Sequence, residues 1–343
     1  MEEAKRTFDE SDVMIGRYGP PIFQILRGLS GAYNVALIKT IPKKNLQKDY
    51  LYYLLQESHI QSVVTSQSQR SAGQTGVQKE FIERLLIPLP SLDEQKRIAA
   101  ILNEQMETVE KARQNAIAQL EAAKELTSAY LRDVFNSPEA QKWERKKLRD
   151  LAWVSGGIQK TKNRTPQNFH RPYLTVRNVQ RGWLDISDIE RFEITSNELS
   201  RYQLKWGDIL IVEGNGSVDH IGRNAIFRGE IEDCIHQNHI IRVRLDIEKV
   251  DPEFISLYLN SDIGKTQMIE KAQTTTGLHT LSVSKVEDLE AAIPKLDKQK
   301  YIVTTLTEKL TETERLCKTL EQQLETINKL PAAFLRQALN GEL

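Results

Sequence analysis

The sequence is short of several things, and each shortage excludes a class. Two cysteines in 343 residues, Cys234 and Cys317, offer no disulfide framework and fit a reducing, cytoplasmic setting. No apolar run approaches the roughly 18 residues needed to cross a membrane, so no membrane partner is expected. The opening Met1-Glu2-Glu3-Ala4-Lys5-Arg6 has no apolar core of a secretory signal. Net charge is also missing, because 47 Lys and Arg balance 47 Asp and Glu. Any nucleic-acid reading must therefore rest on where the charge sits.

Catalytic signatures are missing as well. Gly264-Lys265-Thr266 resembles the end of a phosphate loop, but Leu259 stands where the leading glycine belongs. Gly214-Asn215-Gly216 lacks the third glycine and the following helix of a dinucleotide turn. Gly19-Pro20-Pro21-Ile22 lacks the polar and aromatic residues with which an amino-methyltransferase holds its base. Cys234, His236 and His239 are close in sequence, yet on a strand His239 faces away from the other two, and no fourth ligand is evident. No enzyme, bound metal or cofactor is expected of this chain.

What is present is a repeat. Leu92-Asp93-Glu94-Gln95-Lys96 opens a helical run that closes with Tyr130-Leu131-Arg132, and Leu296-Asp297-Lys298-Gln299-Lys300 opens one that closes with Phe334-Leu335-Arg336. The separation is constant, since 296 − 92 and 334 − 130 both give 204. A proline precedes each run at the same distance, Pro90 and Pro294, and Ser91 and Glu94 have capping-box spacing. Heptad positions are Leu102, Val109, Ala116, Ala123 and Tyr130 in one copy, and Leu306, Thr313, Leu320, Ile327 and Phe334 in the other. This is a narrow coiled-coil seam, and each helix, with only a stripe to bury, is expected to pack on its twin. Pro331 is expected to kink the second helix.

Two globular pieces precede the helices. The first has a strand at 12–15, an apolar run at 36–38, a helix around 50–55 and a polar loop at 65–78. The second has strands at 173–176, 208–212, 225–227 and 240–245, a helix around 254–259 and a polar loop at 273–277. The offset of 204 extends into them, aligning Tyr50 with Phe254 and Leu55 with Leu259. Upstream it becomes 196, aligning Asp12 with Asp208, so the second copy carries an insertion around 217–223. Nothing in the first copy matches residues 141 to about 196.

From Lys142 to Arg181 the chain carries eleven basic residues, with only Glu144 and Asp150 opposing them. Asn163, Asn178 and Gln180 are interleaved, with Phe169, Tyr173 and Trp183 nearby. Cations for phosphates, with amides and Arg for base edges, are what DNA readout requires, although a solvated basic face is the plainer reading. Candidate contacts here are Lys160, Lys162, Asn163, Arg164, Arg177, Asn178 and Arg181. Polar turns of the second piece add Asn215, Arg223 and Thr275, and the first piece offers Arg17, Arg70 and Gln74.

Two globular pieces, each followed by a near-identical helix opening Pro-x-Leu-Asp-x-Gln-Lys, resemble the specificity (S) subunit of type I restriction-modification systems. The residues that carry the likeness are 90–98, 294–300, Gly207-Asp208-Ile209-Leu210, Gly156-Gly157, and Asn178-Val179 after Tyr173-Leu174. The resemblance implies an α+β fold: two mixed α/β target recognition domains separated by a long antiparallel two-helix coiled coil. It places the recognition domains at 1–90 and 139–294 and the helices at 91–138 and 295–343. It implies that each domain reads half of a bipartite site in double-stranded DNA and that the coiled coil sets the spacer. It further implies methyltransferase subunits that modify adenine with S-adenosylmethionine, and restriction subunits, where present, that use ATP and Mg. The first recognition domain departs from the pattern by lacking a counterpart to 141–196. A type IIB specificity chain and a coiled-coil scaffold with protein-binding ends are the alternative readings.

Overall fold

The structure, a computed structural model, describes residues 6–70, 76–161, 164–214, 220–273 and 280–342, except the side chains of Gln69 and Arg70. In the first globule, short strands β1 (Thr7–Phe8), β2 (Met14–Gly16), β3 (Ile25–Leu26), β4 (Gly31–Ala32) and β5 (Leu37–Lys39) precede helices α1 (Lys48–Gln56), α2 (Ser58–Arg70) and α3 (Lys79–Glu83). The long helix α4 (Leu92–Phe135) follows. The second globule contains β6 (Glu144–Lys147), β7 (Ala152–Gly156), β8 (His170–Leu174), β9 (Glu190–Glu193), α5 (Ser196–Tyr202) and β10 (Asp208–Val212). It continues with β11 (Asn224–Phe227), β12 (Ile235–His236), β13 (Ile240–Leu245), α6 (Pro252–Asn260), α7 (Asp262–Ala272), α8 (Val283–Glu287) and β14 (Glu290–Ile293), and α9 (Leu296–Leu339) closes the chain.

These elements form two compact units, Met1–Glu121 with Lys318–Leu343, and Ala122–Cys317. The boundary crosses both long helices, so each unit holds one globule and a stretch of each helix. In the first unit, β2 lies between β3 and β5, and Val13, Ile15 and Phe23 pack against Leu51 and Leu55 of α1 and Ile60 and Val64 of α2. Tyr50, Tyr53 and Leu54 on another face of α1 meet Ile98 and Leu102 of α4 and Leu335 and Ala338 of α9. Farther along α4, Val109 and Ala116 cluster with Ile327. Contacts that advance along α4 while receding along α9 make the pair antiparallel, as the resemblance implies. α9 runs through Pro331.

The expected polar loop at 65–78 is instead helical as far as Arg70. Ile60 and Val64 supply a buried stripe that outweighs the weak helix preference of the Ser, Thr and Gln around them. The Thr65 and Ser68 hydroxyls donate back to the carbonyls of Gln61 and Val64, at 2.7 and 2.8 Å, rather than breaking the turn.

In the second unit, an antiparallel sheet runs in the order β11-β10-β13-β7, with β10 and β11 buried on both faces and β13 nearly so. Alternation along β10 sends Ile209 and Ile211 toward α6, α8 and the long helices, and Leu210 and Val212 toward a second cluster with Leu174, Leu204 and Ile240. Leu131 and Phe135 of α4 join Ile302 and Leu306 of α9 in the first of these cores. A smaller sheet, β12-β8-β9, stacks Tyr173 on Phe192 at 4.4 Å between ring centres. Gly157 passes so close to this sheet that a Cβ would lie 2.2 Å from the His236 carbonyl oxygen, so no other residue fits without displacing backbone. β8 ends at Leu174, two residues short of the expected strand, because the Asn178 side chain captures the Thr175 N–H at 2.8 Å.

The repeat recurs as matching hydrogen bonds. Asp9 N–H donates to Asp12 and Lys205 N–H donates to Asp208, at 2.9 and 2.7 Å. Both aspartates are buried, Asp12 against Lys39 and Lys48, Asp208 against Arg244. Gln95 and Gln299, the shared glutamines of the helix openings, are fully buried. The Gln95 side-chain oxygen accepts from Gln47 N–H, the residue that caps α1, at 2.8 Å. That of Gln299 accepts from Asp251 N–H, the residue that caps α6, at 2.9 Å. The two amide groups donate to the carbonyls of Pro90 and Pro294, at 2.9 and 2.8 Å. Each long helix is thus fastened to its own globule by one internal glutamine, which accounts for the Pro-x-Leu-Asp-x-Gln spacing.

Candidate nucleic-acid interface

The basic run of the second globule is not a field of unopposed charge. Lys147 and Arg149 share Asp288, Arg171 pairs with Asp233 at 3.1 Å, and Arg164 pairs with Glu198 at 2.8 Å. Lys160 and Arg177 both reach Glu190, Arg177 also lying 3.5 Å from Asp188. The partners come from residues 188–198, 233 and 288, which a local count of charge cannot see. The shared carboxylate of Glu190 gathers Lys160 and Arg177 at one edge of β9. Arg164 lies over the Phe192 ring there, 5.4 Å from its centre, and Arg191 donates to His170 at 2.7 Å. Lys160, Arg164, Glu190, Arg191 and Phe192 line an open groove of about 500 Å³. Arg191 escaped sequence reading because it stands in an acidic stretch, although the alternation of Glu190-Arg191-Phe192-Glu193 marks an exposed strand face.

A second group of candidates meets at the turn after β8. Asn178 is buried and serves as its latch, accepting from Thr175 and donating to the carbonyls of Asp185 and Asp188 at 2.8 and 2.9 Å. Its amide is spent on the fold, which corrects its assignment to a base edge. Arg223 donates to the Val176 carbonyl at 3.0 Å and to Gln180 at 3.4 Å, and Arg181 reaches Asn260 at 3.4 Å. Asn260 is held in turn by Asn224 at 3.0 Å. Trp183, missed as a candidate, stands on this turn with over half its surface exposed.

In the first globule, Arg17 is committed to carbonyls, those of Val77 at 3.0 Å and Val35 at 3.2 Å, and so acts as a loop clamp. Lys162, Asn163, Asn215, Gln74, Thr275 and the side chain of Arg70 lie outside the described residues. Among the described residues no cluster of three or more His, Cys, Asp and Glu could hold a metal. Cys234 and His236 are buried, where desolvation pushes the thiol pKa up to about 12 and the imidazole pKa down to about 3. His239 instead meets Glu213 at 2.8 Å. No helix among the described residues is long and apolar enough to cross a membrane.

Comparison with known proteins fits the repeated architecture. The family model of the type I restriction modification DNA specificity domain matches residues 3–121 and 140–326, once over each globule and the start of its helix. The specificity subunit of the type I restriction enzyme StySPI of Salmonella potsdam is 25% identical over 314 residues, 88% of this chain and 67% of the relative. That of EcoKI from Escherichia coli K12 is 25% identical over 316 residues, with the same coverage. Among solved structures, a chain from a type I R-M system superposes with a TM-score of 0.78 at 17% identity, covering 100% of this chain and 85% of that one. The HsdS subunit of Thermoanaerobacter tengcongensis gives 0.63 at 17% identity, covering 100% and 84%. With both repeats matched, fold and sequence agree that the chain belongs to the DNA specificity subunits of type I restriction-modification systems.

Proposed function

We propose that this chain reads DNA sequence without catalysing a reaction, and that the edge of β9 in the second globule is where it grips one part of a bipartite target. The observation that carries the placement is the convergence of Lys160 and Arg177 on Glu190 beside Arg164 and Arg191. Exposed ion pairs are worth about 1 kcal/mol or less, so phosphates can replace Glu190 and its neighbours as partners at little cost. Arg181 and Trp183 on the adjoining turn, with Arg223 bonded to it from the start of β11, extend the same surface, with Lys162, Asn163, Asn215 and Thr275 as further candidates. Methyltransferase subunits, and restriction subunits where present, dock on the long helices and carry the chemistry with S-adenosylmethionine, ATP and Mg. The first globule reads the other part of the site.

The test is duplex binding by the chain with its methyltransferase subunits across a salt series. Lys160→Glu with Arg177→Glu is expected to weaken specific binding by about tenfold or more and to lower the salt slope by roughly one per lost phosphate contact. Unchanged affinity and slope would remove β9 from the interface.

A further inference from the structure

The turn that follows β8 is built to hold still. Val179 and Leu184 pair across it as an isolated antiparallel bridge, and Gln180, Arg181, Gly182 and Trp183 run between them. The Gln180 N–H donates to the Trp183 carbonyl at 3.0 Å and closes the tip, while the Gly182 N–H donates to the Asn224 carbonyl at 2.8 Å and ties it to the start of β11. Below the tip, Val179 and Leu184 pack into the core around Leu174 and Leu210, and the Asn178 latch grips the base. Gly182 has a φ of +86°, a left-handed conformation that any side chain there would strain. Out of this rigid tip stands the Trp183 indole, 56% exposed.

Exposure alone does not single out this tryptophan, because Trp153 and Trp206 are 57% and 58% exposed. Their surroundings differ. The Arg242 guanidinium lies over the Trp153 ring, 5.1 Å from its centre, and takes one face of it. β10 and β11 run antiparallel, so Asp208 pairs with Phe227 at one end and Ile211 with Asn224 at the other. Trp206 precedes the first end, where Arg228 is matched by both oxygens of Glu253 at 2.8 Å. Trp183 stands at the opposite end, on the turn that Arg223 braces. That arginine is held by neutral acceptors, the Val176 carbonyl at 3.0 Å and the Gln180 side-chain oxygen at 3.4 Å, and no carboxylate among the described residues pairs with it. A fixed apolar surface is thus presented next to a cation that the fold does not neutralise.

We propose that Trp183 is a specificity-determining residue of the second globule, its indole covered by bases of the half-site whose phosphates the β9 edge holds. The inference rests on the DNA reading above and divides the labour within it. Contacts to phosphates set register and carry no sequence information, whereas an apolar side chain that meets bases does. The tip is ordered before DNA arrives, so covering the indole costs little conformational entropy and the gain from base contact is kept. The charge of Arg223 beside it favours a polyanion over an apolar protein surface as the occupant.

The test uses the chain with its methyltransferase subunits. Methylation-sensitive sequencing of a host carrying both gives the target, and duplexes with that target intact, or with either half scrambled, are titrated over a salt series. Trp183→Ala, altered where the side chain is already exposed, is expected to bind the intact target weaker by about tenfold or more. Its salt slope should stay unchanged, unlike that of Lys160→Glu with Arg177→Glu. The loss should vanish on one scrambled duplex and persist on the other, and Trp183→Phe should recover part of it. Trp206→Ala, equally exposed at the far end of β10, should change nothing. Unchanged affinity, an equal loss on all three duplexes, an altered salt slope or an equal effect of Trp206→Ala overturns the inference. Methyltransferase subunits lost from the Trp183→Ala complex on gel filtration would assign the indole to a protein contact and overturn it too. An unaltered complex that binds all three duplexes alike would instead sink the DNA reading itself.

Discussion

The two globules follow a shared chain path from Asp12 and Asp208 onward, apart from the insertion around 217–223, and one of their differences lies at the edge of the sheet. In the second, β7 and the Leu148–Asp150 turn close the sheet and seal the core. In the first, the sheet stops at β5, and leucine and isoleucine side chains line an open groove. Features that depend on the shared path are duplicated with near-identical distances: the buried aspartate, its turn, and the glutamine that ties each globule to its helix. Features that depend on the extra segment are single. The difference teaches that the 144–156 segment is what seals the second core, since Leu148, Leu151 and Val154 supply the wall on which Val250, Ile255 and Leu289 close.

Three measurements would break or sharpen this comparison. The largest effect is expected from Leu148→Ala, which opens a cavity at a fully buried site and should cost the second globule about 3 kcal/mol. All four tryptophans, Trp143, Trp153, Trp183 and Trp206, lie in that globule, so urea unfolding followed by tryptophan fluorescence reports it selectively. A loss well under 1 kcal/mol would mean that the segment packs without sealing the core.

Next come Gln95→Ala and Gln299→Ala, each stranding a buried N–H and at least one carbonyl. About 2 kcal/mol is expected in both units, read by hydrogen exchange of α1 and α6 amides. Markedly unequal losses would show that the two junctions are not equivalent.

The smallest effect is a pH dependence confined to the second globule. His236 is buried beside Arg242, its ring within 3.1 Å of the Ile240 carbonyl, and burial lowers its pKa to about 3. The unfolded chain binds the proton first, so the stability contribution is whole above about pH 6.5 and shrinks as pH falls toward 3. Between pH 7 and pH 5 the loss should approach 2 kcal/mol at most. A His236→Gln chain should show a flatter profile, and an unchanged slope would assign the acid sensitivity to other groups.

Much of this architecture was legible because it is periodic. The constant separation of 204 residues exposed the duplication, and the heptads named a seam on which Leu102, Ala116, Ala123 and Leu306 are indeed buried. The bounds of β10 followed from the run Ile209 to Val212, and those of β13 from the aliphatic residues between which Arg242 and Arg244 stand. What escaped was set by residues distant in sequence. Asp288 neutralises Lys147 from 141 positions away, and Glu198 neutralises Arg164 from 34. Composition likewise misjudged α2, where two buried aliphatics decided the conformation of a serine- and glutamine-rich stretch. Asn178 was read as a base contact because exposure is invisible until a turn folds around its amide.

The glutamine at each helix opening has a consequence for how such a chain can change. Its oxygen takes a main-chain N–H, and its amide group gives to main-chain carbonyls. A fastening of that kind reads backbone and ignores side-chain identity. It places no demand on the globule's surface, so a globule with a wholly different reading face can be seated on an unaltered helix. The glutamine tie tolerates change in the side chains around it, while the packing of Tyr50, Tyr53 and Leu54 on Ile98 and Leu102 still depends on what those side chains are.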